Sequence, residues 1–391
     1  MAIDRQYLVR TLAELVRINS INPTLVEGGP GERQIAGYVA EWLRALPVRV
    51  ELREPEPQPG RISVLATLAG SGGGRSLMWN AHYDTVGIEG MPEPFSAAIR
   101  DGKLYGRGAY DMKGSLAAQL AALRSLATEG PKLAGDVVLA AVADEEYGSI
   151  GTADILTAVK TDGAIVTEPT ALNVCLAHKG YLWLEVETIG RAAHGSRFRE
   201  GIDANMRMGR FLNELEKLER ELLDRPAHAL VGPPSLHAAL LAGGSGLSTY
   251  AASSKLQIER RTVPGETAAQ ARDELQAIAD RLAAADPTFR ATVRITFARH
   301  PFEVSPQASI VRAVDRAAEQ VLGRRPAHIG DTPWMDAALL AAAGIETVVI
   351  GPAGAGAHAA EEWVELESVA QLAQILRQAA IDYCGGASVD D

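Results

Sequence analysis

Five stretches of the chain end or turn on residue types that bind metal ions or move protons. His82 and Asp84 follow the apolar run Leu77–Ala81. Asp111 lies inside Gly-Arg-Gly-Ala-Tyr-Asp-Met-Lys-Gly, from Gly106 to Gly114. Asp144, Glu145 and Glu146 follow Val137–Ala143, Glu168 follows Ala164–Thr167, and His358 stands in the glycine-rich loop after Thr347–Ile350. Two histidines with four or five carboxylates suit a borderline divalent cation, Zn²⁺ first among them. One zinc ion rarely needs so many carboxylates. Two ions do, and paired catalytic ions sit roughly 3.5–4 Å apart, close enough to share one carboxylate.

Asp111, on a loop constrained by three glycines, is the natural bridge between two such ions. His82 and Asp84 are two apart on an extended segment, so their side chains share a side. His82 reads as a ligand, and Asp84 as acceptor of the hydrogen bond from its other ring nitrogen. Glu145 and Glu146 are adjacent and point in different directions, which fits one carboxylate on metal and the other free to take a proton. Metal binding brings the pKa of water to roughly 7, and a positioned carboxylate base adds about 10²–10⁴ in rate. The chemistry is hydrolysis of a carbonyl compound by metal-activated water.

Such residues need a frame that gathers them. Leu77–Ala81, Val137–Ala143, Ala164–Thr167 and Thr347–Ile350 are short, nearly unbroken apolar runs, the pattern of strands buried on both faces in an α/β sheet. Each delivers its polar group just past its carboxyl end, where such sheets place ligands. Leucines 116, 120, 123 and 126 recur at helical spacing after Asp111. Taken alone, Asp111 would read as the cap of that helix; its company makes it a ligand. Earlier come helices near Ile3–Arg17 and Glu32–Leu46 and strands at Val48–Leu52 and Ile62–Leu68.

From Lys179 the texture changes. Tyr181, Trp183 and Glu185 alternate with Leu182, Leu184 and Val186, a strand with one covered face. A charged helix near Ala204–Leu223, a second at Ala268–Ala284 and alternating strands at Leu256–Arg261 and Ala291–Phe297 complete an α+β insert. The expectation is an α/β catalytic domain, 1–178 with 301–391, built on a central, mostly parallel sheet with helices on both faces. The insert spans 179–300. A polar tail follows Gly385.

A net charge of −11, from 38 basic and 49 acidic residues, argues against nucleic acid or an anionic membrane as the partner. Two cysteines, Cys175 and Cys384, give no disulfide framework. No apolar run is long enough to span a bilayer, and the first residues lack a signal core, so the expectation is a cytoplasmic protein.

The strings His82-Tyr-Asp-Thr-Val, Gly106 to Gly114, Asp144-Glu-Glu-Tyr-Gly-Ser-Ile-Gly, Thr167-Glu-Pro-Thr and Gly356-Ala-His-Ala-Ala-Glu-Glu-Trp-Val resemble those of the M20 metallopeptidases and deacylases. The likeness runs in order through nearly the whole chain. It implies a zinc-peptidase-like catalytic domain with an inserted dimerisation or lid domain. One zinc ion would lie on Asp111, Glu146 and His358, the other on His82, Asp111 and Glu168, with Co²⁺ able to substitute. Glu145 would be the general base and Asp84 the partner of His82. The peptide bond after Asp111 would be cis. His194, in Gly190-Arg-Ala-Ala-His-Gly-Ser, would reach a neighbouring subunit's site and steady the oxyanion. Arg261 would bind the substrate carboxylate, a task suited to a guanidinium fork. One departure is Gly243-Gly-Ser-Gly-Leu-Ser-Thr-Tyr250, where many relatives carry Asn, so the lid's substrate contacts are this chain's own.

The function so implied is a homodimeric di-zinc amidohydrolase of the acetylornithine deacetylase type, acting on an N-acyl amino acid or a similar small amide. A dipeptidase or carboxypeptidase with the same centre is the alternative. An inactive metal-binding paralogue is a third class, against which the intact ligand set and Glu145 speak.

Overall fold

The computed structural model describes residues 3–56, 58–88 and 90–385; the polar tail after Gly385 lies outside them. The chain divides into two compact units, one of Met1–Leu176, Val304–Ile329 and Met335–Asp391, the other of Ala177–Glu303 with Gly330–Trp334.

In the first unit, the apolar runs become strands β1 (Arg49–Arg53), β2 (Ser63–Leu68), β3 (Leu77–His82), β4 (Val137–Val142), β5 (Gly163–Val166) and β6 (Val174–His178). The last strand of its sheet, Glu346–Val349, is called β11 because the second unit supplies β7–β10. The order is β1-β2-β4-β3-β5-β11-β6. Its centre, β4-β3-β5-β11, is parallel, and the flanking pairs β1-β2, β2-β4 and β11-β6 are antiparallel. Every residue of β3, β4 and β5 is buried, as covering both faces of a sheet requires.

Helices α1 (Arg5–Arg17), α3 (Gly114–Glu129), α9 (Leu366–Cys384) and α7 (Ser309–Leu322) pack in that succession, while α4 (Ile150–Ala158) packs with α8 (Ala337–Ala342). α1 starts where Asp4 accepts the amide of Tyr7 at 3.0 Å, one of the donors a helix start leaves orphaned. It buries Leu8, Leu12, Leu15 and Val16 along one stripe; each such side chain contributes about 1.5–3 kcal/mol relative to exposure. α2 (Arg33–Arg44) lies along β1 and β2.

A small second sheet, not evident in the sequence, joins Gly354–Ala355, Trp363–Glu365, Lys103–Tyr105 and Ala98–Arg100 in that order. Its central pair sets Trp363 opposite Tyr105. The glycine loop that follows Tyr105 and the His358 loop that precedes Trp363 are therefore held side by side.

The second unit is an antiparallel sheet of β7 (Gly180–Ile189), β8 (Ser235–Gly243), β9 (Ser253–Thr262) and β10 (Ala291–Arg299), in the order β8-β9-β7-β10. Leu182, Leu184 and Val186 of β7 and Leu256 and Ile258 of β9 face Phe211 and Leu215 of α5 (Ala204–Leu223) and Leu275 and Ile278 of α6 (Ala268–Ala285). The period-2 strands and period-3.6 helices thus share one core, and Trp183 stays on the uncovered face. α6 is held at its start by a capping box between Thr267 and Gln270.

Candidate metal centre

The four parallel strands end at one edge of the sheet, and each delivers a residue there. His82 is the last residue of β3. Beyond β4 the chain turns at Asp144, whose φ of 68° is left-handed. Its carbonyl accepts the amides of Gly148 (3.0 Å) and Ser149 (2.5 Å), so Glu145 and Glu146 project from a closed turn. Glu168 follows β5, where Gln119 of α3 donates to the Thr167 hydroxyl at 2.9 Å. His358 stands in the loop after β11 with φ 61°. Left-handed backbone at a non-glycine residue costs energy and persists only where the surroundings fix it; here it occurs at His358 and beside Glu145.

Asp111 comes from the glycine loop. Its φ and ψ of −114° and 94° break the turn that leads into α3, and the Asp111–Met112 peptide bond is cis, as the resemblance implied. The Met112 sulfur accepts the amide of His82 at 3.3 Å, so the loop is docked against the end of β3.

The side chains converge. His82 Nε2 lies 3.1 Å from Asp111 Oδ1, 3.6 Å from Glu168 Oε1 and 4.0 Å from Glu145 Oε2. His358 Nε2 lies 3.3 Å from Asp111 Oδ2 and 3.0 Å from Glu146 Oε2. Asp111 thus presents one oxygen to each histidine. Ligand atoms of His82, Glu145 and Glu168 fall within 4.8 Å of one another, as do those of His82, Asp111 and Glu146. Glu145 is therefore close enough to belong to a ligand set as well as to act as a base.

His82 Nδ1 makes its 3.0 Å hydrogen bond to the backbone carbonyl of Asp84, and the Asp84 carboxylate is 3.7 Å away. That carboxylate instead accepts Asn22 Nδ2 at 2.8 Å and the amides of Glu145 and Glu146 at 3.2 and 3.3 Å. Asp84 orients His82 through its main chain, while its side chain fastens the turn that carries Glu145 and Glu146.

Behind this turn lies a buried network that the sequence reading missed. Asp144 Oδ1 accepts Asn22 Nδ2 at 3.0 Å and Arg61 Nη2 at 2.7 Å. Arg61 also grips Glu32 through Nε and Nη2, at 2.9 and 2.7 Å. Asn22, Glu32, Arg61 and Asp144 are all buried. Asp336, which had no role in the sequence reading, is buried too and accepts the Thr152 hydroxyl at 2.5 Å. Burial raises its pKa to about 6.

Burial pushes the Glu145 and Glu168 carboxyls well above the ordinary value, against the pull of His82; Glu168 adds to the rise of Glu145, and Asp111 and Glu146 to that of Glu168. Burial would lower His82, but Glu168, the hydrogen bond to Asp111 and Glu145 together raise it well above its usual value. Hydrogen bonds to Asp111 and Glu146 lift His358 to about 10. Burial would raise Asp111, but the bonds from His358 and His82 outweigh it and hold Asp111 low. The cluster contains more buried carboxylates than its imidazoles can neutralise. Divalent cations remove that imbalance, and the mixed nitrogen and oxygen donor set fits them.

His194 and Arg261 belong to the second unit. His194 is exposed, with Nδ1 2.8 Å from the Ser196 hydroxyl. Arg261, on β9, donates through Nε to Glu259 at 2.7 Å and stacks over Tyr181. Its neighbour Arg260 is fully buried on Glu266 at 2.8 Å. Of the two, Arg261 alone keeps part of its guanidinium in solvent.

Among known proteins, the chain is 28% identical to an acetylornithine deacetylase of Myxococcus xanthus, over 96% of this chain and 97% of that one. Its fold is similar to an M20 family metallo-carboxypeptidase, Sso-CP2, of Sulfolobus solfataricus (TM-score 0.75, 21% identity, 95% and 98% of the two chains). It is also similar to the YXEP protein of Bacillus subtilis, a dinuclear metal-binding peptidase of the same family (TM-score 0.75, 15% identity, 98% and 99%). The model of peptidase family M20/M25/M40 matches residues 78–382, most of the chain and all five segments that meet at this cluster, and the protein belongs to that family.

Proposed function

We propose that this chain is an amidohydrolase that uses two divalent cations, zinc by preference, to cleave the amide of an N-acyl amino acid or a closely related small molecule. The observation that carries the reading is the placing of Asp111 between His82 and His358, one oxygen toward each at 3.1 and 3.3 Å. A carboxylate so placed is suited to bridge two ions. The ligand assignment is Asp111, Glu146 and His358 for one cation and His82, Asp111 and Glu168 for the other.

Bound there, the cations supply Lewis-acid polarisation of the amide carbonyl and acidify water to a pKa of roughly 7. Glu145 takes the proton of the attacking water and returns it to the departing nitrogen, leaving a carboxylate and a free amine. Its burial favours the protonated form, which suits a group that must hold a proton between those steps. Arg261 binds the substrate carboxylate through the part of its guanidinium that Glu259 does not occupy. His194 steadies the oxyanion in a neighbouring subunit's site. Pairing of two chains through the second unit is supported by its edge strand β8, where Leu240 and Leu241 are 65% and 58% exposed. A monomeric mass in solution with full activity would sink both the dimer and the role of His194.

The deacylase reading is supported by the full-length likeness to acetylornithine deacetylases. The peptidase reading is supported by fold likeness to peptidases; both reactions attack an amide beside a carboxylate. No helix of the described residues is long and apolar enough to cross a membrane. The deciding experiment follows amine release from N-acetyl, N-succinyl and N-formyl amino acids and from dipeptides, with zinc or cobalt added and Glu145→Ala as control. Turnover of the acyl amino acids that vanishes in the control supports the proposal. Faster turnover of dipeptides moves the chain to the peptidases, and silence with no metal bound overturns both.

A further inference from the structure

Glu362 is 2% exposed and lies outside the ligand sets proposed above, yet its carboxylate accepts four hydrogen bonds. Its Oε1 accepts the amides of Tyr110 and Asp111, at 2.9 and 3.0 Å. Its Oε2 accepts the amide of Gly108 at 3.0 Å and Arg107 Nη1 at 2.7 Å. One side chain thus takes three backbone donors of the loop that bears Asp111. A carboxylate is suited to this task because it has about four lone-pair sites and no donor to satisfy.

Arg107 completes the arrangement from the other side. It is also 2% exposed, and its remaining nitrogens donate to the carbonyls of Gly87 at 2.8 Å and Ala359 at 2.9 Å. Ala359 directly follows His358. In the opposite direction, the amide of Gly106 donates to the Glu362 carbonyl at 3.1 Å. The strand pair Trp363 with Tyr105 closes the frame. One buried ion pair is therefore fastened at once to the loop of Asp111 and the loop of His358.

We propose that Glu362 and Arg107 are positioning residues that fix the distance between Asp111 and His358, and so the geometry of the cation position those two share with Glu146. The inference rests on the two-cation reading above. A buried pair that only stabilised the fold would need no such pattern. Its loss would be felt by both cation positions alike, whereas a clamp on these two loops acts most on the position that takes both Asp111 and His358 and less on the one that takes Asp111 alone. Among the described residues, no hydrogen bond or ion pair joins His82 or Glu168, which come from β3 and the end of β5, to Glu362 or Arg107.

The test is a zinc titration of the full chain by calorimetry and chelator competition, on the wild type, Glu362→Gln and Arg107→Lys, with thermal melts alongside. Glutamine keeps one acceptor for Tyr110 and Asp111 but turns an amide group toward Gly108 and Arg107. Lysine keeps the charge beside Glu362 but cannot also reach both Gly87 and Ala359. The expected result is two zinc ions in the wild type, with the position on Asp111, Glu146 and His358 weakened about 10–100-fold in the variants and the other, which shares only Asp111 with the clamped loops, weakened clearly less. kcat should fall with KM for the substrate nearly constant. Two unchanged positions in a folded variant would overturn the inference, and so would equal weakening of both. If Glu362→Gln does not fold, Arg107→Lys decides by the same criteria. A wild type that binds fewer than two zinc ions brings down the two-cation reading itself, and this inference with it.

Discussion

At the scale of single residues, the centre separates groups that hold from a group that moves a proton. Glu145 is the mover in our proposal. Glu145→Gln keeps size and shape and cannot take a proton, so kcat should fall about 10²–10⁴-fold while zinc content stays at the wild-type level. Metal analysis beside steady-state kinetics checks this; loss of zinc together with activity would make Glu145 a ligand instead. Arg61 shows the cost of the supporting network. Its guanidinium is buried between Glu32 and Asp144. Arg61→Ala leaves two buried carboxylates without their cation, and removing one partner of such a pair costs about 3–5 kcal/mol. A chemical denaturation midpoint should show that loss. A change below about 1 kcal/mol, the range of an exposed pair, would mean that Glu32 and Asp144 find compensation elsewhere.

At the scale of elements, the decisive piece is the loop Gly106–Gly114. Gly108 has φ 79°, and a Cβ there would lie 2.7 Å from Thr85 Cγ2 and 3.1 Å from Lys113 Cδ. Gly108→Ala therefore meets both backbone strain and a clash, and should cost about 1–3 kcal/mol and reduce bound zinc. Gly209 in α5 has no atom within 4 Å of such a Cβ and ordinary φ, so Gly209→Ala should stabilise by about 0.4–1 kcal/mol. Thermal melts of the two variants should move in opposite directions. Strands β3, β4, β5 and β11 were legible in the sequence because strands buried on both faces leave unbroken apolar runs. The side chains that cluster beyond them were legible because they sit directly after those runs. The small sheet of Ala98–Arg100, Lys103–Tyr105, Gly354–Ala355 and Trp363–Glu365 was not, since strands of two or three residues carry no periodicity to read. The Asn22, Glu32, Arg61 and Asp144 network was hidden for a related reason: its members lie far apart in the chain, and only the fold joins them. Asp84 was legible as the partner of His82, but not the atom that makes the bond, because side-chain spacing says nothing about a main-chain carbonyl.

At the scale of the whole molecule, folding of the first unit gathers like charges, so its stability without metal must depend on pH. Glu145 and Glu168 are raised above their ordinary 4.5 in the folded chain. His82 and His358 are raised above 6.5, His358 to about 10. A group whose pKa is higher folded than unfolded stabilises fully below its unfolded value, and that contribution disappears as pH rises through the folded value. All four act in one direction between about pH 4.5 and 10, while Asp111, which is lowered from 3.8, matters only in stronger acid. Chelator-treated protein should therefore melt at steadily lower temperature from pH 5 to pH 9. Zinc binds the deprotonated ligands, so its stabilisation should grow over the same range, reaching about 2.7 kcal/mol per site at a hundredfold excess over Kd. Calorimetric scans with chelator and with zinc, at matched pH, measure the gap directly. The second unit has its own core of β7, β9, α5 and α6 and holds no ligand of the cluster, so the shift belongs to the first unit alone. A gap that narrows toward pH 9, or a metal-free protein whose melting temperature rises with pH, would mean that the buried carboxylates are neutralised within the protein and the cluster has no need of cations.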